Sequence, residues 1–234
     1  MRDLEVSISR HPIVRGVSFT APAGAWFGLL GANGSGKTTL LRGLNGRLAI
    51  DAGSVRLGGE ELAGDPPTLA SRIGFAPPPD SLPEELSGRE LLELLGRARR
   101  ADPRQPKAIY EALDIGWLER GPIGVMSMGM RQRLCLHTAF IGAPRAMLLD
   151  EPFNWLDPVA AYDLKAALRE WVGQGGVLVT ALHDIAAFAT RCDLGLLLHD
   201  GVVVKTFAAD EIAKGRGDIL AFEQSVYEAF RASG

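Results

Sequence analysis

The chain of 234 residues has little cysteine, no long apolar run and almost no excess charge. Its two cysteines, Cys135 and Cys192, are isolated, which argues against both a disulfide framework and a cysteine metal site. We expect both to be small buried residues in a reducing compartment. No apolar run approaches the roughly 20 residues of a membrane span, and residues 1–5 lack the apolar stretch of a secretory signal. These absences predict a cytoplasmic protein.

The charge balance argues against broad binding to nucleic acid. The formal net charge is −3, and 47% of the residues are apolar, which is ordinary globular usage that can bury one sizeable core. Basic side chains do cluster in one place, and we expect them to form a solvated helix face. These residues are Arg97, Arg99, Arg100, Arg104 and Lys107.

A phosphate-binding loop is the most specific motif of the sequence. The apolar run 25–30 predicts a strand, and residues 31–38, Gly-Ala-Asn-Gly-Ser-Gly-Lys-Thr, match G-x-x-x-x-G-K-[ST] before a predicted helix. Glycines let backbone N–H groups curl around phosphate oxygens, and the helix N-terminus adds a positive dipole end. Lys37 is expected to reach the outer phosphates, and the Thr38 hydroxyl is expected to bind Mg²⁺. The predicted nucleotide-binding residues of this segment are Gly31, Asn33, Gly34, Ser35, Gly36, Lys37, Thr38 and Thr39.

The order of predicted elements indicates an α/β fold. Strands alternate with helices around the phosphate loop, which favours a mainly parallel sheet of P-loop NTPase type. Period-two alternation over residues 4–8 and near 17–19 predicts short strands that form an N-terminal antiparallel β-subdomain. Helical patterns fill residues 86–143, so we expect an inserted helical subdomain within one domain. The core then covers about 1–85 and 144–210, and a short helical tail covers about 211–234.

Two carboxylates follow a buried strand at Met147–Pro152. Such a strand places both side chains at the carboxyl edge of the sheet, where α/β proteins bind ligands. With Mg²⁺ at the phosphate loop, Asp150 is the natural outer-sphere partner of the metal, and Glu151 can polarise a water for attack on the terminal phosphorus. The alternative is an acidic pair that only caps a turn.

A helix start at Ser127 is the third feature. Ser127 is a good N-cap, but Met130 completes no capping box. Arg131 and Arg133 lie in the first turn, where the helix dipole disfavours positive charge, so this start calls for an external anion. An ordinary capped helix with surface arginines is the other interpretation.

Taken together, these motifs resemble the nucleotide-binding subunit of an ATP-binding cassette (ABC) transporter. The likeness covers almost the whole chain and keeps the order of the family's motifs. Residues 31–38 match the Walker A loop and residues 147–151 match Walker B with its following glutamate. Residues 126–130 fall at the signature, residues 154–157 at the D-loop, and His183 at the switch histidine.

The resemblance implies a head-to-tail dimer with a second nucleotide-binding subunit, either identical or different. ATP is then sandwiched between the Walker A loop of one protomer and Ser127 and Gly129 of the other. His183 would hold Glu151 and its water at the terminal phosphate, although a lone histidine after a strand is usually structural. Asp157 before Pro158 also suits a helix N-cap with proline at the first helical position.

Several positions depart from the family pattern. The signature reads Met-Ser-Met-Gly-Met, which resembles exporter-type members, as does the short C-terminal tail. Pro78 stands where the family has glutamine, so one metal or water contact and one link to the membrane partner are missing. Ile8 takes the place of the aromatic that stacks on adenine, which leaves Arg10 or His11 as substitutes.

The resulting hypothesis is a subunit that binds and hydrolyses ATP with Mg²⁺ and drives a separate membrane permease, preferably an exporter. It would be peripheral on the inner face of the membrane and would dock through residues 77–85 and the helices that follow. One alternative is an ATP-gated clamp on nucleic acid or ribosomes, and another is a degenerate, mainly ATP-binding partner of a heterodimer. A GTPase is disfavoured because an Asn-Lys-x-Asp motif is absent.

Overall fold

A computed structural model describes residues 1–232, and within that range the chain forms a mixed α/β fold. The strands, in chain order, are β1 Arg2–Ile8, β2 His11–Val17, β3 Trp26–Leu30, β4 Ala52–Ser54, β5 Arg56–Leu57, β6 Glu60–Glu61, β7 Ile73–Phe75, β8 Ala146–Asp150, β9 Val177–Leu182, β10 Leu194–His199 and β11 Val202–Phe207. The helices are α1 Lys37–Leu44, α2 Pro66–Arg72, α3 Gly88–Arg99, α4 Lys107–Ala112, α5 Ile115–Leu118, α6 Met128–Thr138, α7 Pro158–Gly173, α8 Ile185–Arg191, α9 Ala209–Gly217 and α10 Ile219–Ala232.

The central sheet runs in the order β11-β10-β3-β9-β8-β7. All neighbouring pairs are parallel except β10 with β11. A second sheet of order β2-β1-β4 is antiparallel, and β5 pairs with β6. The predicted α/β class, with a mainly parallel sheet and an N-terminal antiparallel sheet, is therefore confirmed.

The core lies on both faces of the central sheet. Every residue of β3 is buried, and alternate side chains enter opposite clusters because successive strand residues point to opposite faces. Trp26 and Leu30 pack with the helices α3 to α8, whereas Phe27 and Leu29 pack with α1 and the antiparallel sheet. Burying β3 on both faces fixes where its carboxyl end, and hence the phosphate loop, leaves the sheet.

Several predicted boundaries were wrong for local reasons. The strand expected near residues 17–19 is β2, which begins at His11 after a tight turn with Ser9 and Arg10 at positive φ. That turn contains neither glycine nor asparagine, so the usual hairpin signal is absent. The apolar pattern after the phosphate loop predicts a helix as far as about Leu48, but α1 ends at Leu44, because Asn45 caps it and Gly46 turns at φ +72°.

Helix α2 was not predicted. It is short and buries only Leu69, although Asp65 caps it by accepting from the Thr68 N–H and proline follows at the first position. The helical tail predicted from about residue 211 consists of two helices, α9 and α10, and α9 begins slightly earlier, at Ala209. The predicted tail extends to residue 234, and its residues 233 and 234 lie outside the described residues.

The expected burial of both cysteines was confirmed, but the expectation for the basic cluster was partly wrong. Cys135 and Cys192 are fully buried, and burial raises the pKa of each thiol to about 12. In the basic cluster, Arg99 donates to the Ile141 carbonyl at 2.6 Å and Arg104 donates to Glu119 at 3.0 Å. These two arginines therefore bind other segments of the chain instead of facing only solvent.

A helix that crosses a membrane must be both long and apolar. None of the helices in residues 1–232 combines the length and the apolar character that such a crossing needs.

Candidate functional site

The phosphate loop leaves β3 at Leu30 and enters α1 at Lys37. Gly34 and Gly36 have φ of +84° and +102°, a conformation that side chains with a Cβ rarely adopt. A Cβ on Gly31 would lie 2.5 Å from the Leu198 carbonyl oxygen, so this position requires glycine because of close packing. The first N–H groups of α1 have no acceptor within the helix, which makes this end of α1 suitable for an anion.

Lys37 is folded back over this loop. Its side chain is 6% exposed, and Nζ donates to the carbonyl oxygens of Gly31 at 2.7 Å and Ala32 at 3.0 Å. Nζ also lies 4.0 Å from Oε1 of Glu151. Burial lowers the pKa of Lys37, and the charges of Glu151 and Asp150 oppose that effect. The ammonium group of Lys37 is therefore held at the loop by two backbone carbonyl oxygens, and phosphate oxygens could replace these acceptors.

Thr38 and Asp150 meet where α1 begins and β8 ends. The Thr38 hydroxyl donates to Oδ2 of Asp150 at 2.6 Å. A hydroxyl and a carboxylate beside a phosphate site form the oxygen donor set that Mg²⁺ prefers. Within residues 1–232 no group of three or more His, Cys, Asp or Glu side chains could hold a metal, so phosphate and water would supply the other ligands. The residues present fit Mg²⁺ in that arrangement.

Glu151 follows β8 with its backbone at φ +46°, which is strained for a residue with a side chain. Its Oε2 accepts a hydrogen bond from Nδ1 of His183 at 2.8 Å. Oε1 is buried and has no hydrogen-bond partner among the described residues. Burial raises the pKa of Glu151, while the hydrogen bond from His183 and the charge of Lys37 act against the rise. A buried carboxylate with one free oxygen is suited to accept a proton from water.

These residues line one small opening, which we call the phosphate cleft. It has a volume of about 150 Å³. Its lining residues are Ile13, Asn33, Gly34, Gly36, Lys37, Thr38, Thr39, Asp150 and Glu151. Ile13 is the apolar member, and neither Arg10 nor His11 is among the described residues that line it. Sequence reasoning missed Ile13 because β2 is placed over the loop by distant backbone contacts, including the Arg15 N–H to the Gly201 carbonyl at 2.9 Å.

Ser35 is turned away from that opening. Its side chain is 3% exposed, and its Oγ has no hydrogen-bond partner within the described range. Oγ lies 2.6 Å from the position a Cβ on Gly31 would take. The hydroxyl of Ser35 therefore packs inside the loop, in contrast to that of Thr38.

A second opening, the side cleft, adjoins the first and shares Thr38, Asp150 and Glu151 with it. Its other lining residues are Arg42, Phe75, Ala76, Pro77, Pro78, Pro79, Gln132, Asn154 and Trp155. Arg42 and Gln132 were not predicted here. Arg42 lies four residues after Thr38 on α1, and this helical spacing is a signal that could have placed it on the same face.

Pro78 lies in this cleft without a side-chain acceptor. Its carbonyl oxygen accepts from Ser81 Oγ at 2.7 Å and from the Ser81 N–H at 3.0 Å, within a short helical turn. The sulfur of Cys135 lies 3.7 Å from the same oxygen. The backbone of the loop is thus fixed by internal contacts, while no polar side chain reaches out from position 78.

The polar side chains at the helix start near Ser127 have partners within the chain. Ser127 Oγ accepts from the Met130 N–H at 3.3 Å, Arg131 donates to Glu84 at 2.7 Å, and Arg133 forms an ion pair with Asp157. Both arginines therefore have carboxylate partners in the same chain, so their charges do not by themselves require an external anion. The N–H groups at the start of α6 remain as donors.

Gly129 is needed for packing. A Cβ at this position would lie 2.5 Å from the backbone oxygen of Trp155. Asp157 caps α7 by accepting from the N–H groups of Val159 and Ala160 at 3.0 Å each. The segment before α7 and the start of α6 are therefore joined by backbone packing and by the Arg133–Asp157 pair.

The structure thus separates the predicted site residues into two groups. Lys37, Thr38, Asp150, Glu151 and His183 come together at the carboxyl edge of the central sheet. The second group is Ser127 and Gly129, which are not among the described residues that line the phosphate cleft.

Comparison of the sequence with known families places it among the ABC transporters. The family model described as "ABC transporter" matches residues 14–154. The chain is similar to the ABC-type transporter ATP-binding protein EcsA of Bacillus subtilis (strain 168), with 32% identity over 208 residues, 87% of this chain and 84% of that protein. It is also similar to Nod factor export ATP-binding protein I of Rhizobium meliloti (strain 1021), with 32% identity over 222 residues. That match covers 93% of this chain but 64% of the relative.

Solved structures of ABC transporter subunits are also similar to this chain. One described as the ATP-binding subunit of an ABC transporter superposes with a TM-score of 0.83 and 26% identity, covering 98% of both chains. A nucleotide-free ATP-binding cassette from an ABC transporter superposes with a TM-score of 0.77 at 20% identity, covering 98% of this chain and 96% of the other, and supports the P-loop NTPase fold.

Proposed function

This chain belongs to the ABC transporter family as an ATP-binding protein and is an ATPase of that family, and from this premise we propose that it powers an exporter through a separate membrane permease. The observation that carries the catalytic part of the proposal is the cluster of Lys37, Thr38, Asp150, Glu151 and His183 at one sheet edge. Export is favoured by the altered signature, by the short tail, and by the similarity to proteins named for Nod factor export.

We assign each residue of the phosphate cleft a role toward ATP. The N–H groups at the start of α1 and the Lys37 ammonium would bind the terminal phosphates, where negative charge builds during transfer. Thr38 and Asp150 would hold Mg²⁺, which supplies charge neutralisation on the phosphate oxygens when bound. Asn33 and Ser35 belong to the loop that would surround the phosphates, and Thr39 lies in the first turn of α1.

Glu151 would act as the general base. Its free Oε1 accepts a proton from the water that attacks the terminal phosphorus, while the bond from phosphorus to the bridging oxygen breaks and ADP leaves. His183 donates from Nδ1 to Oε2, so this hydrogen bond fixes the carboxylate and leaves Nε2 directed elsewhere, toward the terminal phosphate in our proposal.

We propose that the complete site forms between two protomers. Ser127 and Gly129 lie outside the phosphate cleft of their own chain, so the N–H groups at the start of α6 are available to the ATP of a second subunit. In this arrangement residues 86–143 would act as a helical subdomain, and residues 77–85 with the helices that follow would contact the permease. The protein would then be held at the inner face of the membrane through its permease.

Pro78 and the altered signature favour one second candidate, a mainly ATP-binding partner of a heterodimer. In that case the chain binds ATP but leaves hydrolysis to another subunit. The two candidates differ in whether the purified chain shows turnover that depends on Glu151.

Affinity purification of the chain from its own cells tests the transport proposal. We expect a polytopic membrane protein to co-purify, with ATP turnover in the recovered complex. Recovery of the chain with RNA or ribosomes and without any membrane protein would contradict transport and favour an ATP-gated clamp. A Lys37→Ala variant purified in parallel reports whether recovery of the permease depends on nucleotide.

A further inference from the structure

The basic cluster of residues 97–107 has no role in the function proposed above. It contains five cations and one carboxylate, although the formal net charge of the whole chain is −3. The cations are Arg97, Arg99, Arg100, Arg104 and Lys107, and the carboxylate is Asp102. Like charges held this close repel one another, so a local excess of this size in an acidic chain indicates a partner of negative charge.

The structure places part of this cluster around one open groove, which we call the basic groove. It lies between the end of α3 and the loop that follows, and its volume is about 610 Å³. The loop turns back tightly, because a Cβ on Gly96 would lie 2.9 Å from the Ala101 carbonyl oxygen. The lining residues are Glu93, Gly96, Arg97, Arg100, Ala101, Asp102, Pro103 and Arg104.

The guanidinium groups of this groove differ in how far the chain itself neutralises them. Arg104 is bound to the buried carboxylate of Glu119 at 3.0 Å. Arg97 lies 3.5 Å from Glu93, but its side chain is 81% exposed, and an exposed pair of this kind contributes little. The side chain of Arg100 has no carboxylate partner in the part of the chain that the structure describes. Arg97 and Arg100 can therefore bind an external anion.

An exposed apolar side chain lies beside these cations. Leu94 precedes Arg97 by one turn of α3, so the two side chains share a face, and Leu94 is 57% exposed. The methylene stems of arginine add apolar surface below the charged ends. Apolar side chains next to cations are typical of proteins that lie at the headgroup region of a membrane. Leu94 thus favours a lipid surface over a purely polar anion.

The position of α3 also favours a membrane. Its first turn follows directly on the segment 77–85 that we propose as the permease contact, and the Glu84 carbonyl accepts from the Gly124 N–H at 3.2 Å. Helix α3 has 12 residues and is therefore about 18 Å long. A chain docked on its permease would hold the basic groove within about that distance of the docking segment.

We propose that the basic groove binds the anionic lipid headgroups at the inner surface of the membrane. This inference rests on the proposed function, which brings the chain to that surface through its permease, and it adds a contact that the chain makes itself. Arginines near the cytoplasmic leaflet gain from its negative surface potential. That potential falls off within a Debye length, so the contact is peripheral and sensitive to salt.

Sedimentation with lipid vesicles tests the proposal on the purified chain without any permease. The chain should bind vesicles made of equal parts phosphatidylcholine and phosphatidylglycerol, release from them as salt is raised, and ignore phosphatidylcholine alone. Arg97→Gln with Arg100→Gln should weaken this binding by roughly 10- to 30-fold, the scale of two basic residues lost at an anionic surface. Arg56→Gln with Arg231→Gln removes two exposed cations outside the groove and should bind as the unchanged chain does.

Several results of this experiment would overturn the inference. They are absence of binding to phosphatidylglycerol vesicles, equal binding to phosphatidylcholine, and equal weakening in the two double variants. Tighter binding of RNA through Arg97 and Arg100 would also overturn it, in favour of a nucleic-acid groove. Failure on vesicles with the permease still recovered from cells overturns the inference alone. Failure to recover any membrane protein overturns the transport proposal on which it rests.

A fluorescent label at Leu94 tests which face meets the lipid. Leu94→Cys, labelled with a polarity-sensitive maleimide, should shift its emission to shorter wavelength on phosphatidylglycerol vesicles. Leu220→Cys is the matched control, because Leu220 is also exposed but lies on α10, outside the groove. Cys135 and Cys192 are buried and should not react. No shift at position 94, or an equal shift at position 220, would contradict the proposal.

Discussion

The phosphate cleft and the start of α6 lie side by side, yet they are built in different ways. In the cleft, side chains from the ends of β8 and β9 and the start of α1 converge within 2.6 to 4.0 Å of one another. At the start of α6, polar side chains are already paired inside the chain, and glycine is required by a backbone contact. The cleft leaves reactive atoms free, whereas the helix start offers only backbone donors.

This difference between the phosphate cleft and the start of α6 indicates which part of the nucleotide site each of them can supply. Glu151 keeps a buried oxygen without a partner among the described residues, and Lys37 is held by carbonyls that it can exchange for phosphate. The helix start has its arginines tied to Glu84 and Asp157, so it is prepared to receive a ligand without rearranging. The predictions below test this division.

Lys37→Ala should have the largest effect, because it removes the ammonium group that lies at the phosphate loop. ATP binding measured by calorimetry should weaken by roughly 100-fold, the scale of two charge-assisted hydrogen bonds lost. Lys214→Ala changes an exposed lysine on α9 and should bind ATP normally. Retention of full affinity in Lys37→Ala would mean that phosphate binds elsewhere.

His183→Ala should lower turnover by roughly 10- to 100-fold, since the base loses its fixed orientation. The pH profile should change as well. Burial raises the pKa of Glu151 and the hydrogen bond from His183 lowers it, so removing His183 leaves the pKa higher still. Because the base acts when ionised, the acid limb of kcat/KM should move to higher pH.

The matched control for that profile is His199→Ala, at the end of β10, which should leave the acid limb in place. A His183→Ala variant that loses activity with an unmoved acid limb would show that His183 does not act on Glu151.

Gly129→Ala should act on folding, and through it on the contact between α6 and the segment at Trp155. A Cβ 2.5 Å from a backbone oxygen must displace that backbone, at a cost of about 1–3 kcal/mol in the free energy of unfolding. Gly173→Ala meets nothing within 4 Å and should be neutral or stabilising in the same urea titration. Equal stability of the two variants would remove the packing explanation for Gly129.

Pro78→Gln should have the smallest effect. The backbone of this loop is fixed by Ser81, so the fold should persist, and a new amide in the side cleft should change turnover by no more than about fivefold, the value of one hydrogen bond. Pro83→Gln, outside that cleft, is the comparison. A change of fiftyfold in Pro78→Gln would place position 78 among the residues that limit hydrolysis.

The sequence predicted the phosphate cleft better than the start of α6, and the reason is physical. Strand, glycine loop and helix follow one another along the chain in residues 26–44, and carboxylates directly follow β8. Their placement at one sheet edge is thus set by local order and by parallel pairing. The partners of Arg131 and Arg133 come from Glu84 and Asp157, 47 and 24 residues away, and nothing in the local pattern indicates them.

The contrast between local and distant contacts also explains why some helix and strand boundaries were predicted correctly and others were not. Helix α7 begins at Pro158 as predicted because its cap is encoded by Asp157 and the proline. Strand β2 was misplaced because its turn residues, Ser9 and Arg10, adopt positive φ without glycine. Local sequence patterns do not predict positions where tertiary contacts hold the backbone in an unfavourable conformation. Glu151 and Trp155, which also have positive φ, are two more such positions.

The central claim is that this chain hydrolyses ATP with Glu151 as the base, and a Glu151→Gln variant tests it most directly. Single-turnover hydrolysis and ATP binding should be measured on both proteins, with Glu223→Gln as a control on α10. We predict that Glu151→Gln binds ATP as tightly as the unchanged chain while hydrolysis falls by at least about 100-fold. Equal hydrolysis in the two proteins, fast or slow, would contradict the account, and equally slow hydrolysis would favour the mainly ATP-binding partner.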